Sequence, residues 1–264
     1  DDHIYNYHLQ HQWGYSIPAL MGGIYRSHPN NIIYLTEKFR LATKDIKYII
    51  SMIDPDKRMR YDYDNIQRLY QEYNHVKVDD KENLALLQRI LKGKKILLLM
   101  PGQSISQYKD EILKKIEAEN LFVITVNFRD ETFDKYSELA FWGSQKRYEH
   151  YTDLRKEVTS LITSNIESDM EDDIIVNYDS FVDRTQEYSD NASLMLMRIL
   201  QRVGVVSYYV AGFDGFTVNG SYYNKTDFSE ERFRSQYESI NKGVAHQLSM
   251  FADSLKHPED IQFV

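Results

Sequence analysis

The chain has no cysteine among its 264 residues, so disulfides and thiolate chemistry are excluded and a reducing compartment is allowed. It has no excess of positive charge. Lys and Arg number 32 against 40 Asp and Glu, for a formal net charge of −8. A broad nucleic-acid surface needs a positive field and is excluded on that count, although a small basic pocket is not. No apolar run approaches the roughly 20 residues that span a bilayer, and no signal peptide opens the chain. A cytoplasmic protein is therefore expected. The eight histidines form no H-E-x-x-H or similar spacing. Only His8 and His11, which could share a helical face, come close to a pair. His246 lies between Val244 and Leu248 and reads as a packing residue. There is no G-x-S-x-G elbow and no nucleophile–base pair. What the chain does have is an ordinary apolar fraction, 42%, enough to bury a real core, and 21 tyrosines suited to half-buried packing.

Two regimes meet near residues 75 to 93. Before that seam, apolar residues fall at helical spacing. Ile46, Ile49, Ile50 and Ile53 follow the cap Thr43 and stop at Asp54-Pro55, and Ile66, Leu69, Tyr70 and Tyr73 follow Asp64. Residues 1–75 are expected to be all-helical and too thin to hold a core alone. Residues 76–92 read as a linker with a short helix, Leu84 to Leu91, ended by Gly93. Because the chain starts on Asp1 and stops in the extended-looking Ile261-Gln262-Phe263-Val264, it is expected to be a piece of a longer protein.

After the seam, strand and helix alternate. Ile96–Met100 is uniformly apolar, as a central parallel strand should be. A helix over Ser104–Asn120 follows, then strands Leu121–Phe128 and Leu139–Trp142. Leu154, Val158, Leu161 and Ile162 mark the next helix, and Glu167–Asp173 is an acidic patch. Ile174–Tyr178 is a strand, Ala192–Val203 a buried helix and Val205–Ala211 a strand. A long helix from Ser229 carries Phe233, Tyr237, Ile240, Val244, Leu248, Phe251 and Leu255 at gaps of three and four. The expected fold class is α/β: the all-helical segment, then a doubly wound, mostly parallel, Rossmann-like sheet over residues 93–264.

Ligands of open parallel sheets sit outside the carboxyl ends of the strands, where the strand order reverses. Four strand ends here carry small or polar residues. The first is Pro101-Gly102-Gln103-Ser104-Ile105, where Ser104 and Gln107 form an S-x-x-Q capping box. Exposed N–H groups and a helix dipole would favour an anion there, with Gly102 admitting a phosphate. A tight βα turn would need the same glycine without a ligand. Neither G-x-G-x-x-G nor G-K-[ST] occurs, so the dinucleotide fingerprint and the P-loop are both absent. Asn127, ending the second strand, could hold a ribose or base, or be a turn asparagine; Arg129 could pair with a phosphate. Asn191 and Ser193 open the buried helix as a cradle or as ordinary caps. Gly212 and Asp214 follow the fifth strand, where Asp214 could touch a ribose hydroxyl or a metal, or simply form a hairpin-like turn.

Two resemblances come from these words. Gln12-Trp13-Gly14-Tyr15-Ser16-Ile17-Pro18, Ser27-His28-Pro29-Asn30, Thr43-Lys44-Asp45-Ile46 and the stretch Tyr61-Asp62-Tyr63 to Leu69-Tyr70 resemble the helical segment after the barrel in bacterial proteins related to 4-hydroxy-2-oxovalerate aldolase. The resemblance implies a metal-dependent lyase whose Mn or Mg ion and catalytic residues lie in a TIM barrel upstream of Asp1. By itself the chain is then not an active aldolase. It also places Tyr25 where that family carries a tyrosine reaching into the barrel's active site. Residues 93–264 are similar to single-domain bacterial sialyltransferases and to the related pterin pyrophosphokinase-like domain. The similarity is carried by Pro101-Gly102-Gln103-Ser104-Ile105, Asn127, Asn191-Ala192-Ser193, Gly212-Phe213-Asp214 and Asn219-Gly220-Ser221. In those proteins the matching turns hold a nucleotide. Gln103 departs from their G-x-G-P-S word, and neither His246 nor His257 matches the transferases' catalytic histidine.

The expectation is a C-terminal region of an aldolase-like lyase whose Rossmann-like domain binds a nucleotide or nucleotide-sugar. The alternatives are that this domain is itself a glycosyl- or pyrophosphoryl-transferase, or a non-catalytic docking module. The protein partners this reading allows are the chain's own TIM barrel and a second copy in a homodimer; nucleic acid and a membrane span are excluded.

Overall fold

A computed structural model describes residues 77–151, 153, 157–183, 191–216 and 237–264. All of them belong to one unit, Val76–Ser229 with Gln236–Val264. The all-helical expectation for residues 1–75 lies outside the described residues.

Among the described residues seven strands form one sheet, and every pairing in it is parallel. They are β1 (Ile96–Leu99), β2 (Phe122–Val126), β3 (Ser137–Trp142), β4 (Ser160–Thr163), β5 (Ile174–Val176), β6 (Tyr208–Ala211) and β7 (Ile261–Phe263). The helices are α1 (Lys81–Leu91), α2 (Ser104–Gln107), α3 (Lys109–Glu119), α4 (Gln145–His150), α5 (Ala192–Arg202) and α6 (Tyr237–Asp253). The α/β class read from the alternation is therefore present, with a sheet that is wholly parallel rather than mostly so.

Strand order is β5-β4-β3-β2-β1-β6-β7. The chain steps outward from β1 to β5, then returns to the other flank of β1 for β6 and β7. The order reverses between β1 and β6, both buried over almost their whole length.

Side chains of successive strand residues point to opposite faces, and both faces are covered. Ile96, Leu98 and Met100 join a core with Leu87 and Leu91 of α1, Leu194 to Leu200 of α5 and Phe251 of α6. Leu97 and Leu99 face the other way, against Ile105 of α2 and Ile112 and Ile116 of α3. Further along that second face, Ala140, Trp142 and Ile162 pack on Tyr148 of α4. A strand buried on both sides cannot alternate apolar with polar, which is why β1 reads Ile-Leu-Leu-Leu.

Residues 78–91, expected as linker and short helix, are tied to this sheet. Asn83 Nδ2 donates to the Ile175 carbonyl at 2.9 Å, and Asn177 N–H donates to Asp80 at 2.9 Å. Those bonds cap a sheet edge that would otherwise offer free backbone groups.

Three local expectations need correction. The stripe Leu154, Val158, Leu161, Ile162 is not one helix, because Ser160–Thr163 is β4, paired to β3 and β5. Strand propensity and burial on both sides override the helical spacing. The helix predicted over Ser104–Asn120 is two helices broken at Tyr108, whose φ of −105° and ψ of 23° leave the helical region. The strand ending at Ala211 begins at Tyr208 rather than Val205.

Candidate functional site

Because all strands are parallel, the segments after β1, β2, β3, β5 and β6 emerge on one edge of the sheet. Within that edge the candidate residues fall into two groups.

The first group lies at the strand-order reversal. The ladder between β1 and β6 continues past the strands: Met100 N–H donates to the Ala211 carbonyl at 2.9 Å, and Gly102 N–H to the Gly212 carbonyl at 2.9 Å. The two turns are thus in direct backbone contact. Gly212 has φ +77°, and a Cβ there would lie 2.0 Å from the Met100 carbonyl oxygen, so no other residue fits. A Cβ on Gly102 would lie 2.4 Å from the Gly212 oxygen and 2.6 Å from the Asp214 carboxyl carbon. Gly102 is bare because Asp214 stands in front of it.

Asp214 grips Ser104 twice. Its Oδ2 accepts the Ser104 N–H at 2.7 Å, and its Oδ1 accepts the Ser104 hydroxyl at 2.5 Å. This overturns the S-x-x-Q capping box. The residue preceding α2 is Gln103, with no side-chain cap bond, and Gln107 Nε2 donates to the Tyr108 hydroxyl instead. A carboxylate from 110 residues further along the chain caps this turn. Gln103 itself is exposed.

The Asp214 loop is held from its far side as well. Asn241 of α6 accepts the Phe216 N–H at 2.8 Å and donates to the Phe216 carbonyl at 2.7 Å, and the Phe216 ring stacks on Tyr237 at 5.0 Å. Sequence reasoning passed over Asn241. A lone asparagine beside a helical apolar stripe carries no local signal that it grips a loop 25 residues upstream.

The second group lies after β2 and β3. Asn127 takes the left-handed conformation, φ 57°, which asparagine tolerates better than most residues. Its N–H donates to the Phe141 carbonyl at 2.9 Å, and its Oδ1 accepts the Gly143 N–H at 2.9 Å. Gly143, also unanticipated, lets the start of α5 approach: a Cβ there would lie 3.0 Å from that of Ala192. Asn191 caps α5, its Oδ1 accepting the Leu194 N–H at 3.1 Å, and Ser193 is buried. Arg129 Nε donates to Asp134 Oδ2 at 2.6 Å. That bond is the leading reason the guanidinium is raised above its ordinary pKa.

The structure therefore brings Gly102, Gln103, Ser104, Gly212 and Asp214 together. It places Asn127, Asn191 and Ser193 in a neighbouring group on the same edge, and pairs Arg129 with Asp134. Tyr25 and Asn219–Ser221 lie outside the described residues.

The acidic patch Glu167–Asp173 folds onto α4. The buried Tyr148 hydroxyl lies 2.5 Å from Asp173 and 3.0 Å from Asp169. Burial first, then the bond to Asp173, raises the tyrosine's pKa. Among the described residues no group of three His, Asp or Glu is placed to hold a metal ion, and no helix is long and apolar enough to cross a membrane.

The chain matches no protein-family model, no curated protein and no solved structure with which it was compared.

Proposed function

We propose that the parallel-sheet unit is a Rossmann-like domain that binds a nucleotide or nucleotide-sugar at the carboxyl edge between β1 and β6, as part of a cytoplasmic aldolase-type lyase. One observation carries the binding half: the strand order reverses at β1 and β6, and the Gly102 and Gly212 turns meet there through a 2.9 Å backbone bond. Connections leaving two adjacent parallel strands toward opposite flanks open a crevice above their carboxyl ends, which is where ligands of such sheets sit. The resemblance of the same turns to nucleotide-holding turns supports the ligand class.

The test is calorimetric titration of the 264-residue chain with CMP, UDP, ATP and their sugar conjugates. Saturable heat with at least one, weakened by Asp214→Ala, is expected. Silence with all of them would remove the reading.

The lyase half rests on the resemblance of residues 1–75 alone. A protein that joins a barrel to this segment and is loaded with Mn or Mg is expected to release pyruvate from a 4-hydroxy-2-oxoacid, with Tyr25→Phe slowing the release. Absence of pyruvate with the loaded protein would remove that half and leave the other standing.

A further inference from the structure

Granting the nucleotide-binding reading, on which this step rests, the geometry points to the part of the ligand that the β1/β6 seat takes. We infer that Asp214 receives the vicinal hydroxyls of the ribose, and that the phosphates lie outside the seat.

The turn after β1 has few donors left for a phosphate. Gly102 N–H is bonded to the Gly212 carbonyl and Ser104 N–H to Asp214 Oδ2. Ile105 N–H is turned to the Gly102 carbonyl at 3.4 Å, and the Ser104 hydroxyl is bonded to Asp214 Oδ1. The place where an incoming anion would stand is filled by the chain's own carboxylate, packed so close that Gly102 has no room for a Cβ. A phosphate brought there would face a full negative charge, with its hydrogen bonds already made by the protein.

The same carboxylate suits hydroxyl groups. An ionised Asp has about four lone-pair sites, and two are used on Ser104. Asp214 is exposed, and each of its oxygens carries one of those two bonds, so each has acceptor capacity left for a ligand. Two adjacent O–H donors match that spacing, as the acidic residue of dinucleotide-binding sheets matches a ribose. Gly102 N–H to Gly212 on one side and Asn241 to Phe216 on the other hold the loop, so the acceptor is positioned before the ligand arrives.

The experiment compares CMP, UDP and ATP with their 2′,3′-dideoxy counterparts on the 264-residue chain, with inorganic pyrophosphate as competitor. The nucleotide that binds is expected to lose roughly 10- to 100-fold in affinity without its ribose hydroxyls, since two hydrogen bonds to a solvent-exposed acceptor, each of ordinary net strength, are removed. Pyrophosphate is expected not to compete. Asp214→Asn, which keeps the size and one acceptor, should shrink the gap between ribo and dideoxy forms. Equal affinity of the two forms would overturn the inference and leave nucleotide binding intact, as would competition by pyrophosphate or a gap unchanged in Asp214→Asn. Binding that needs Mg ion and ignores the hydroxyls would overturn it too. No binding by any nucleotide removes the inference together with the reading beneath it.

Discussion

Gly102→Ala tests whether the β1/β6 edge is built as described. The backbone φ of Gly102 lies outside the left-handed region, so the substitution adds no conformational strain. All of its cost is steric. The new Cβ would lie 2.4 Å from the Gly212 oxygen and 2.6 Å from the Asp214 carboxyl, where ordinary contact begins near 3.4 Å. About 1 Å of separation is needed, and the Gly212 carbonyl cannot supply it, because Gly212 is itself wedged against the Met100 carbonyl. Overpacking of this kind costs about 1–3 kcal/mol. Loss of the Gly102–Gly212 backbone bond adds about 1 kcal/mol. The total, about 2–4 kcal/mol, should lower Tm by roughly 5–15 °C for a unit of this size.

Urea unfolding followed by the fluorescence of Trp142, which is fully buried, reads the effect directly; a Trp13→Phe background leaves Trp142 as the sole indole. Gly93→Ala is the internal comparison. Gly93 has φ +72°, and a Cβ added there would meet nothing within 4 Å, so the change should cost only the left-handed strain, about 1 kcal/mol. In an Asp214→Ala background the Gly102→Ala cost should fall but not vanish, since the Gly212 oxygen remains. A Gly102→Ala change within about 0.5 kcal/mol of the parent, or smaller than that of Gly93→Ala, would refute the packing argument.

Asn127→Ala should cost about 1–2 kcal/mol, by removing both a residue tolerant of φ 57° and the acceptor for Gly143 N–H, whereas Asn127→Gly should cost less because only the acceptor is lost. Denaturant midpoints at constant slope would show it. Asn191→Ala should cost about 1 kcal/mol through loss of the α5 cap, measurable in the same way. Tyr208→Phe should leave stability unchanged or raise it by up to about 1 kcal/mol at neutral pH, because the buried Tyr208 hydroxyl has no hydrogen-bond partner among the described residues. Burial pushes that hydroxyl well above the ordinary tyrosine range. The folded pKa therefore exceeds the unfolded one, which is about 10. Below that value both states keep the proton; above it the unfolded chain releases it and the folded chain does not, so stability falls by up to about 1.36 kcal/mol per pH unit. The advantage of Tyr208→Phe over the parent should widen between about pH 10 and 11, and equal urea midpoints across that range would count against the buried hydroxyl.

Uniform apolar runs are legible in the sequence. Ile96–Leu99 and the all-round apolar helix from Ala192 announce burial on both sides, and their bounds follow to within a residue or so. The strand Ser160–Thr163 is not legible, because Leu161 and Ile162 also satisfy the three- and four-residue spacing set by Leu154 and Val158, and a four-residue strand is too short to show its own period. That the polar turns share an edge follows from parallel strands alone. Their partners do not follow: Ser104 finds Asp214 across 110 residues, and Phe216 finds Asn241 across 25. Local grammar offers Gln107 as the cap for Ser104, and a carboxylate carrying full charge prevails over a neutral amide.

The pairing changes the polarity of the edge. Read as isolated turns, these segments offer N–H groups and hence an anion site. In the folded chain, Gly102 N–H goes to Gly212, Ser104 N–H to Asp214, Asn127 N–H to Phe141, Gly143 N–H to Asn127 and Leu194 N–H to Asn191. Each bond closes a turn that the sheet needs closed, because an unsatisfied buried amide costs more than a made bond returns. At the strand-order reversal the exposed Asp214 side chain is then an acceptor facing water. A ligand fitting this part of the edge brings its donors with it.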